Sequence, residues 1–191
     1  LKQTLQQRDA LEFRLKNIAH LDSLTGVANR YALNEYIKLL ENQPTQISET
    51  CLMVIDIDNF KQVNDVYGHL MGDQVIQFVA EKLKENIRTS DLLVRYGGDE
   101  FIVLIENVGM ERALKIAEKI RSEIYEAKPL DNVRCPDLKV SISIGVAIGA
   151  TSWMALLEKA DRALFQAKEQ GKNKVDTEIG RAVQQECRDR S

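Results

Sequence analysis

The chain has 191 residues and 44% hydrophobic content, which is enough for one domain with a sizeable core and short for two. Its formal net charge of −3, with acids and bases interspersed, argues against a nucleic-acid-binding surface, which normally shows a clustered basic patch. No apolar run is long enough to span a membrane, no signal peptide is present, and three widely spaced cysteines (Cys51, Cys135, Cys187) indicate neither disulfides nor zinc, so we expect a reduced, cytoplasmic protein.

Residues 1–20 predict a polar-rich helix that precedes the domain. Its apolar positions recur at roughly heptad spacing, with interruptions, at Leu1, Leu11, Leu15 and Ile18. This pattern is typical either of a coiled-coil stub or of a solvated helix that packs on its own domain, and both remain open. Because no Met precedes Leu1, we expect a fragment of a longer protein with an upstream sensory or regulatory domain. The turn-forming residues of segment 22–30 predict the domain boundary.

Four segments predict strands. Residues 52–57 form a short apolar run that ends in acids, as expected for a central strand covered on both faces. Runs 92–96 and 99–105 are joined by Gly97 and Gly98, which predicts a β-hairpin whose glycines supply a positive φ. Residues 140–148 alternate branched and small side chains, which predicts a strand with one crowded and one close-packed face.

Helical spacing of apolar residues predicts four helices inside the domain. They follow Arg30, follow Asp73, and cover about 111–127 and 153–170, the last ending at Gly171. A loop with Pro129 and Pro136 precedes the final strand, and a polar tail covers 179–191. The order of elements predicts an α+β fold of the ferredoxin-like, polymerase-palm type: a central, mostly antiparallel sheet flanked by helices.

Acidic residues stand where two of the predicted strands meet a turn. Asp56 and Asp58 come at a strand end, and Asp99 and Glu100 follow the hairpin glycines. If the strand and the hairpin are neighbours, these acids converge on one edge of the sheet. Carboxylates and substrate phosphates are the ligands of Mg²⁺, so such an edge suits phosphoryl or nucleotidyl transfer. The alternative is that these acids are solvated or cap a neighbouring helix.

Four ordered motifs carry a family resemblance. Residues 97–101 read Gly-Gly-Asp-Glu-Phe, and segments 22–30, 56–73 and 167–173 are similar to the other motifs of the same family. The chain thus resembles the GGDEF family of diguanylate cyclases over about 21–175, which places the catalytic domain at 21–178. The resemblance implies an Mg²⁺-dependent enzyme, with Mn²⁺ as a substitute, that condenses two GTP molecules into cyclic di-GMP and pyrophosphate as a homodimer of half-sites.

The resemblance also implies roles for individual residues. Asp56, the backbone carbonyl of Ile57 and Asp99 would bind the metal, and Glu100 would assist metal binding or activation of the 3′-hydroxyl. Lys61, a catalytic residue by the same resemblance, and Lys168 and Lys172 match positions that contact the triphosphate, where ammonium groups stabilise the departing pyrophosphate. Lys172 stands where many members carry Arg, which replaces a forked contact by a point charge. Each lysine alone would be an ordinary surface residue.

Other positions correspond to nucleotide recognition. Asn64 and Asp73 are similar to the family's guanine-binding pair, and a carboxylate that accepts from guanine would be left unpaired by adenine. His69 lies between them, where it would either shape the pocket or pack within the loop. Gly97 and Gly98 would let the nucleotide approach the backbone, or would simply be hairpin glycines.

An arginine and an aspartate precede the hairpin. Arg88 and Asp91 resemble the RxxD site through which many diguanylate cyclases bind their product as an inhibitor; the alternative is a surface salt bridge. Other functions remain to be weighed against the enzyme: a catalytically silent GGDEF domain that senses GTP or cyclic di-GMP, another palm-type cyclase or polymerase, and a dimerisation element built on the N-terminal helix. The intact acids argue against the silent domain.

Overall fold

The computed structural model describes residues 20–127 and 138–178. The predicted helix over 1–20, apart from His20, lies outside the described residues, as do the tail 179–191, both loop prolines, Cys135 and Cys187. None of the helices in the described part of the chain combines the length and the apolar character needed to cross a membrane.

The described residues form one five-stranded sheet with the order β2-β3-β1-β4-β5. Neighbouring strands run antiparallel, except for β4 and β5, which are parallel. The α+β class, the central position of β1 and the hairpin β2–β3 are therefore confirmed, whereas β5 is too short and too polar to be predicted from periodicity. The strands are β1 (Thr50–Ile57), β2 (Leu92–Arg95), β3 (Glu100–Glu106), β4 (Ile142–Ala147) and β5 (Val175–Thr177).

Within the described residues, six helices accompany the sheet. Four of them correspond to the predicted helices, with ends that agree closely or are shifted. Two further helices, Pro44–Glu49 and Phe60–Tyr67, were not predicted. The prediction that one helix follows Asp73 is wrong at its start, because Gly68, with φ +85°, ends α3 and begins α4 upstream of Asp73. The helices are α1 (Arg30–Glu41), α2 (Pro44–Glu49), α3 (Phe60–Tyr67), α4 (His69–Asn86), α5 (Met110–Glu126) and α6 (Trp153–Glu169).

The helices cover both faces of the sheet and create two cores. One core joins α3, α4 and α5 to the branched residues of β4, and the other joins α1 and α6 to the opposite face. Gly145 shows why the second face of β4 carries small residues, since a Cβ there would lie 2.1 Å from the backbone oxygen of Ala160. The close-packed face predicted for this strand is confirmed, and it brings the C-terminal half of α6 against β1 and β4.

Candidate functional site

Two carboxylates lie side by side where β1 and β3 are paired. Asp56 is the register partner of Glu100 on β3 and of Ser143 on β4. Directly opposed residues of antiparallel strands project from the same face, with Cβ atoms about 5 Å apart. The predicted convergence of strand-end and hairpin acids is thus observed for this pair, on the face of the sheet that α6 covers.

The side chain of Asp56 is largely enclosed. Its side chain is 13% exposed, and Lys168 on α6 places its Nζ 3.0 Å from one carboxylate oxygen. Burial raises the pKa of Asp56 above its ordinary value, and the negative charges of Asp99 and Glu100 act in the same direction, although Lys168 partly opposes them. Positive charge beside this carboxylate is therefore favourable, whether it comes from the ammonium group of a lysine or from a metal ion.

Asp58 has a structural role. It is 6% exposed, and its oxygens accept from the hydroxyls of Ser141 at 2.8 Å and Ser143 at 2.7 Å. The backbone N–H of Asn173 donates to the same carboxylate at 2.9 Å. These bonds tie β4 and the turn after α6 to the end of β1, so the second strand-end acid is occupied in holding the fold.

The hairpin turn is held close to the end of β1. Its backbone closes through N–H groups of Tyr96 and Gly97 that donate to the carbonyl of Glu100, and the N–H of Ile57 donates to the carbonyl of Asp99 at 3.1 Å. The predicted positive φ at Gly97 and Gly98 is wrong, since neither glycine adopts it. A Cβ at Gly97 would lie 2.7 Å from Oε2 of Glu100, the far end of a flexible side chain, so glycine leaves room for the observed position of this carboxylate.

Arginine 95 supports this turn from one side, a role that the sequence analysis missed. Its guanidinium donates to the carbonyl of Gly98 through Nη2 at 2.8 Å and Nε at 3.2 Å, and it forms an ion pair with Asp22 at 3.1 Å. Asp22 also accepts from the backbone N–H and the hydroxyl of Thr25. Burial would raise the pKa of Asp22, but the bonds from Thr25 and the charge of Arg95 together lower it.

The predicted base-recognition residues gather at the junction of α3 and α4. Asn64 is half-buried, and its Oδ1 is enclosed without a hydrogen-bond partner in the structure. This oxygen lies against the backbone of Gly72, where an added Cβ would be 1.9 Å away. Asp73 follows Gly72 in the chain, and both Asp73 and His69 are exposed on the first two turns of α4. The arrangement leaves an acceptor oxygen and a carboxylate near one another.

The three predicted phosphate lysines lie on α6, in the turn after α6 and on α3. Lys168 lies over Asp56, and the Nζ of Lys172 donates to Oδ1 of Asn59 at 2.6 Å, at the corner between β1 and α3. Lys61 is exposed in the first turn of α3, beside the same corner. As predicted, Gly171 ends α6, with φ +111°. The structure thus brings Lys168 and Lys172 to the acidic strand ends. Lys61 lies two residues after Asn59, at the start of α3.

The predicted inhibitory residues lie at the other end of β2. The backbone N–H of Arg88 donates to the carboxylate of Asp91 at 2.8 Å, and the N–H of Asp91 donates to the carbonyl of Arg88, so the two close a turn. In the structure, the carboxylate of Asp91 thus contacts the backbone of Arg88, which is itself an exposed residue. A cleft of about 400 Å³ lined by Ile87, Leu92 and other residues opens beside this turn.

The donor set suits a metal that also binds phosphate. Within residues 20–127 and 138–178, no three acidic, histidine or cysteine side chains converge closely enough to hold a metal by themselves. Mg²⁺ in nucleotide enzymes needs only one or two carboxylates, with phosphate oxygens and water completing its coordination. Asp56 and Asp99, with the carbonyl of Ile57, would meet that requirement, and a metal ion would offset the negative charge of Asp99 and Glu100 beside Asp56.

Comparison with known families gives a match over most of the chain. The family described as "Diguanylate cyclase, GGDEF domain" matches residues 19–174. Among curated proteins, the probable diguanylate cyclase DgcT of Escherichia coli is 42% identical over 164 residues, which are 84% of this chain and 36% of that protein. The response regulator PleD of Caulobacter vibrioides is 35% identical over 194 residues, which are 96% of this chain and 42% of that protein.

Solved structures with the same fold agree. The coiled coil and GGDEF domain of DgcB from Caulobacter crescentus, solved in complex with c-di-GMP, superposes with a TM-score of 0.82 at 30% identity and covers 92% of this chain and 93% of that one. The diguanylate cyclase SiaD of Pseudomonas aeruginosa, solved with its activator SiaC, gives 0.77 at 30% identity, covering 91% and 67%. The predicted palm-type fold is confirmed. The present chain spans less than half the length of the curated relatives it matches.

Proposed function

Since this chain belongs to the family of diguanylate cyclase GGDEF domains, we propose that it is an active diguanylate cyclase that condenses two GTP molecules into cyclic di-GMP. One observation carries the proposal: Asp56 and Glu100 are intact, directly opposed across two strands, and backed by Lys168. Burial disfavours the charge of Asp56 even beside Lys168, and a domain that only senses nucleotide has no need of a carboxylate kept at that cost.

The reaction consists of two reciprocal substitutions. The 3′-hydroxyl of one GTP attacks the α-phosphorus of the other, a new P–O bond forms, the bond to the β,γ-diphosphate breaks, and pyrophosphate leaves with the hydroxyl proton lost to a base. The second attack closes the ring in the same way. Each chain offers one set of site residues, so two chains related by two-fold symmetry would present the two nucleotides to one another.

Asp56, Asp99 and the carbonyl of Ile57 would hold Mg²⁺, or Mn²⁺ in its place. When bound, the metal supplies positive charge that stabilises the phosphate oxygens and activates the attacking hydroxyl. Glu100, the neighbour of Asp56 in the register, would either complete the metal site or accept the hydroxyl proton. Both roles need its ionised form and its closeness to the hairpin backbone at Gly97, where no Cβ obstructs it.

Guanine would bind at the junction of α3 and α4. The buried Oδ1 of Asn64 would accept from the 2-amino group of guanine, and Asp73 would accept from the same edge of the base. Adenine has no 2-amino group and no N1–H, so it would leave both acceptors unpaired, and the buried Oδ1 of Asn64 alone would cost about 1–3 kcal/mol. His69, exposed beside Asp73, would line the pocket.

The triphosphate would extend from this pocket toward the strand ends. Lys61 and Lys172 flank the corner at Asn59, and Lys168 lies beside Asp56. Their ammonium groups would stabilise the negative charge that develops on the departing pyrophosphate. Gly97 and Gly98, which carry no side chain, would let the phosphates approach the hairpin backbone.

Cyclic di-GMP would also inhibit the enzyme at Arg88 and Asp91. The exposed Arg88 guanidinium offers a fork to phosphate or to a guanine edge, and the adjoining cleft supplies apolar surface. The four residues of β2, about 13 Å of strand, separate this turn from the hairpin. Product bound there would be remote from GTP and would inhibit without competing with it.

Nucleotide selectivity tests the proposed function. The purified chain is incubated with Mg²⁺ and GTP, ITP or ATP, and the products are separated by chromatography and identified by mass. We expect cyclic di-GMP and pyrophosphate from GTP, a kcat/KM at least about 10-fold lower for ITP, which lacks only the 2-amino group, and no turnover of ATP. Binding of GTP without turnover would make the domain a silent sensor. Equal use of ATP would indicate another palm-type cyclase.

A further inference from the structure

The turn that follows α6 has an unusual backbone. Gly171, Lys172 and Asn173 all have positive φ, at +111°, +62° and +50°. Glycine takes this conformation freely, whereas two consecutive residues with side chains do so only where neighbouring groups hold them. The contacts that hold Lys172 and Asn173 therefore decide where the end of this turn lies.

The first part of the turn is held by the end of the helix itself. The N–H of Gly171 donates to the carbonyl of Lys168, and the N–H of Lys172 donates to the carbonyl of Ala167. This is the pair of bonds that a Schellman motif makes at the end of a helix. It determines the backbone as far as the N–H of Lys172 and leaves the next residue, Asn173, to be held by other elements.

Asn173 is held by two groups from distant parts of the chain. Its N–H donates to the buried carboxylate of Asp58, and its Oδ1 accepts from Nη1 of Arg121 at 2.8 Å. Arg121 lies on α5, and its side chain is only 17% exposed. Glu118, one turn earlier, accepts from Nε and Nη2 of the same guanidinium. Glu118 thereby orients the remaining nitrogen toward Asn173.

The side chain of Lys172 depends on this turn for its direction. From its left-handed position it extends to Asn59, the left-handed residue (φ +56°) that links β1 to α3, and donates to it at 2.6 Å. Asn59 follows Asp58 in the chain, and the N–H of Asn173 donates to the carboxylate of Asp58, so both ends of this contact are held at Asp58. A change at Asn173 would therefore turn the adjacent Lys172 away from the strand ends.

We propose that Arg121 is a positioning residue for Lys172: by holding the side-chain amide of Asn173 it keeps the left-handed turn that aims the ammonium group at the triphosphate. This inference rests on the proposed function, because that function assigns Lys172 to the triphosphate. In this account Arg121 contacts no substrate, so it affects affinity for the phosphates and leaves recognition of the base unchanged.

The test compares Arg121→Met, which keeps the apolar stem and removes the donors, with Lys115→Met as control. Lys115 is exposed on the same helix and pairs with Glu111, so its loss also removes one ion pair within the helix. Inorganic triphosphate and guanosine serve as competitive inhibitors of GTP turnover. We expect Arg121→Met to raise KM for GTP and Ki for triphosphate by about 3- to 10-fold and to leave Ki for guanosine unchanged. Lys115→Met should leave all three constants unchanged.

Asn173→Ala provides a second route to the same result. Alanine removes the acceptor of Arg121 and, unlike glycine, does not favour the left-handed backbone by itself. It should raise Ki for triphosphate as Arg121→Met does, and the double variant should be no worse than either. In a Lys172→Met background, Arg121→Met should have no further effect, because the group that it positions is absent.

Three results would overturn the inference: equal changes in the guanosine and triphosphate constants, additive effects of Arg121→Met and Lys172→Met, or a lower thermal midpoint with unchanged kinetics. Failure of the proposed function is seen separately, as absence of cyclic di-GMP from the wild-type chain. In that case, calorimetric titration with inorganic triphosphate still measures whether Arg121→Met weakens phosphate binding.

Discussion

Asp56 on β1 and Glu100 on β3 are direct partners across the antiparallel register, and the side chain of Asp56 is only 13% exposed. Two adjacent carboxylates repel one another, and burial adds to the cost of ionising Asp56, whose pKa is raised. The domain thus keeps an unfavourable charge at the place where the proposed reaction needs a metal ligand.

Replacement of Asp56 should separate stability from activity. A raised native pKa means that protonated Asp56 favours the fold, and that this advantage is lost as pH rises through the native pKa. Asp56→Asn should therefore raise the thermal midpoint at pH 7 without divalent ions, with no gain at a pH below the ordinary value of 3.8. Turnover should fall by about 100-fold or more. Glu81→Gln, an exposed change on α4, is the control; a lower midpoint for Asp56→Asn at pH 7 would contradict this account.

Gly72 should be required for guanine binding. A methyl group there would meet Oδ1 of Asn64 and displace the buried acceptor, although alanine is the better helix former. We expect Gly72→Ala to raise KM for GTP by about 10-fold or more, the effect of losing one buried partner. Gly109→Ala, where a Cβ meets open space, should leave kinetics unchanged. An unaltered KM in Gly72→Ala would show that Asn64 does not recognise the base.

The Arg95 guanidinium should be needed to hold the hairpin turn. Methionine at this position removes both bonds to Gly98 and leaves Asp22 without its charged partner. Because the turn carries Asp99 and Glu100, we expect Arg95→Met to lower kcat by about 10- to 100-fold. Arg95→Lys should restore little of the lost kcat, since an ammonium group lacks the planar fork with which the guanidinium holds Gly98. Steady-state kinetics measure this, and a loss confined to thermal stability would refute the role.

The ion pair of Asp22 with Arg95 should also make the free energy of unfolding decrease in acid. The pKa of Asp22 is lowered in the folded state, so its contribution to stability is complete above its ordinary value of 3.8 and is lost as pH falls through the lowered value. Asp22→Asn should therefore destabilise the protein at pH 7 and lose this deficit in strong acid. Urea unfolding at several pH values measures the difference. A deficit that does not depend on pH would mean that the charge of Asp22 contributes nothing.

Arg88 should control inhibition by the product. Arg88→Ala removes the exposed guanidinium but keeps the backbone N–H that closes the turn with Asp91. We expect the inhibition constant for cyclic di-GMP to rise by about 10-fold or more, with the initial rate almost unchanged. Arg112→Ala, at an exposed position of α5, is the control. If the constant stays the same in Arg88→Ala, the arginine has no part in product binding.

The elements with a strong hydrophobic period could be predicted from the sequence, and polar contacts between distant segments could not. The strand at β1 and the alternation in β4 follow from side chains that must be buried. Gly97 was predicted for a wrong reason, because its φ is not positive and the space that it leaves for the carboxylate depends on the rotamer of Glu100. The start of α4 at His69 was missed, because His69 and Leu70 are exposed and the buried branched residues of the helix begin only at Val75.

The site shows the same division. The motif residues could be named in advance, but the side chains that hold them could not, because Arg95 and Arg121 look like ordinary charged residues in their own segments. Arg95 contacts Asp22 from 73 positions away and Arg121 contacts Asn173 from 52 positions away. Asp58 appeared to belong with the other acids, and only the fold assigns its oxygens to serines on β4.

Condensation of GTP by the carboxylate pair is tested by comparing the wild-type chain with Glu100→Ala. Both are incubated with GTP and Mg²⁺ at equal concentration, and cyclic di-GMP and pyrophosphate are quantified over time. We expect one cyclic di-GMP for every two pyrophosphates from the wild type and none from Glu100→Ala, with circular dichroism and thermal midpoint of a folded protein in both. Equal product from the two chains, or none from the wild type, would contradict this expectation.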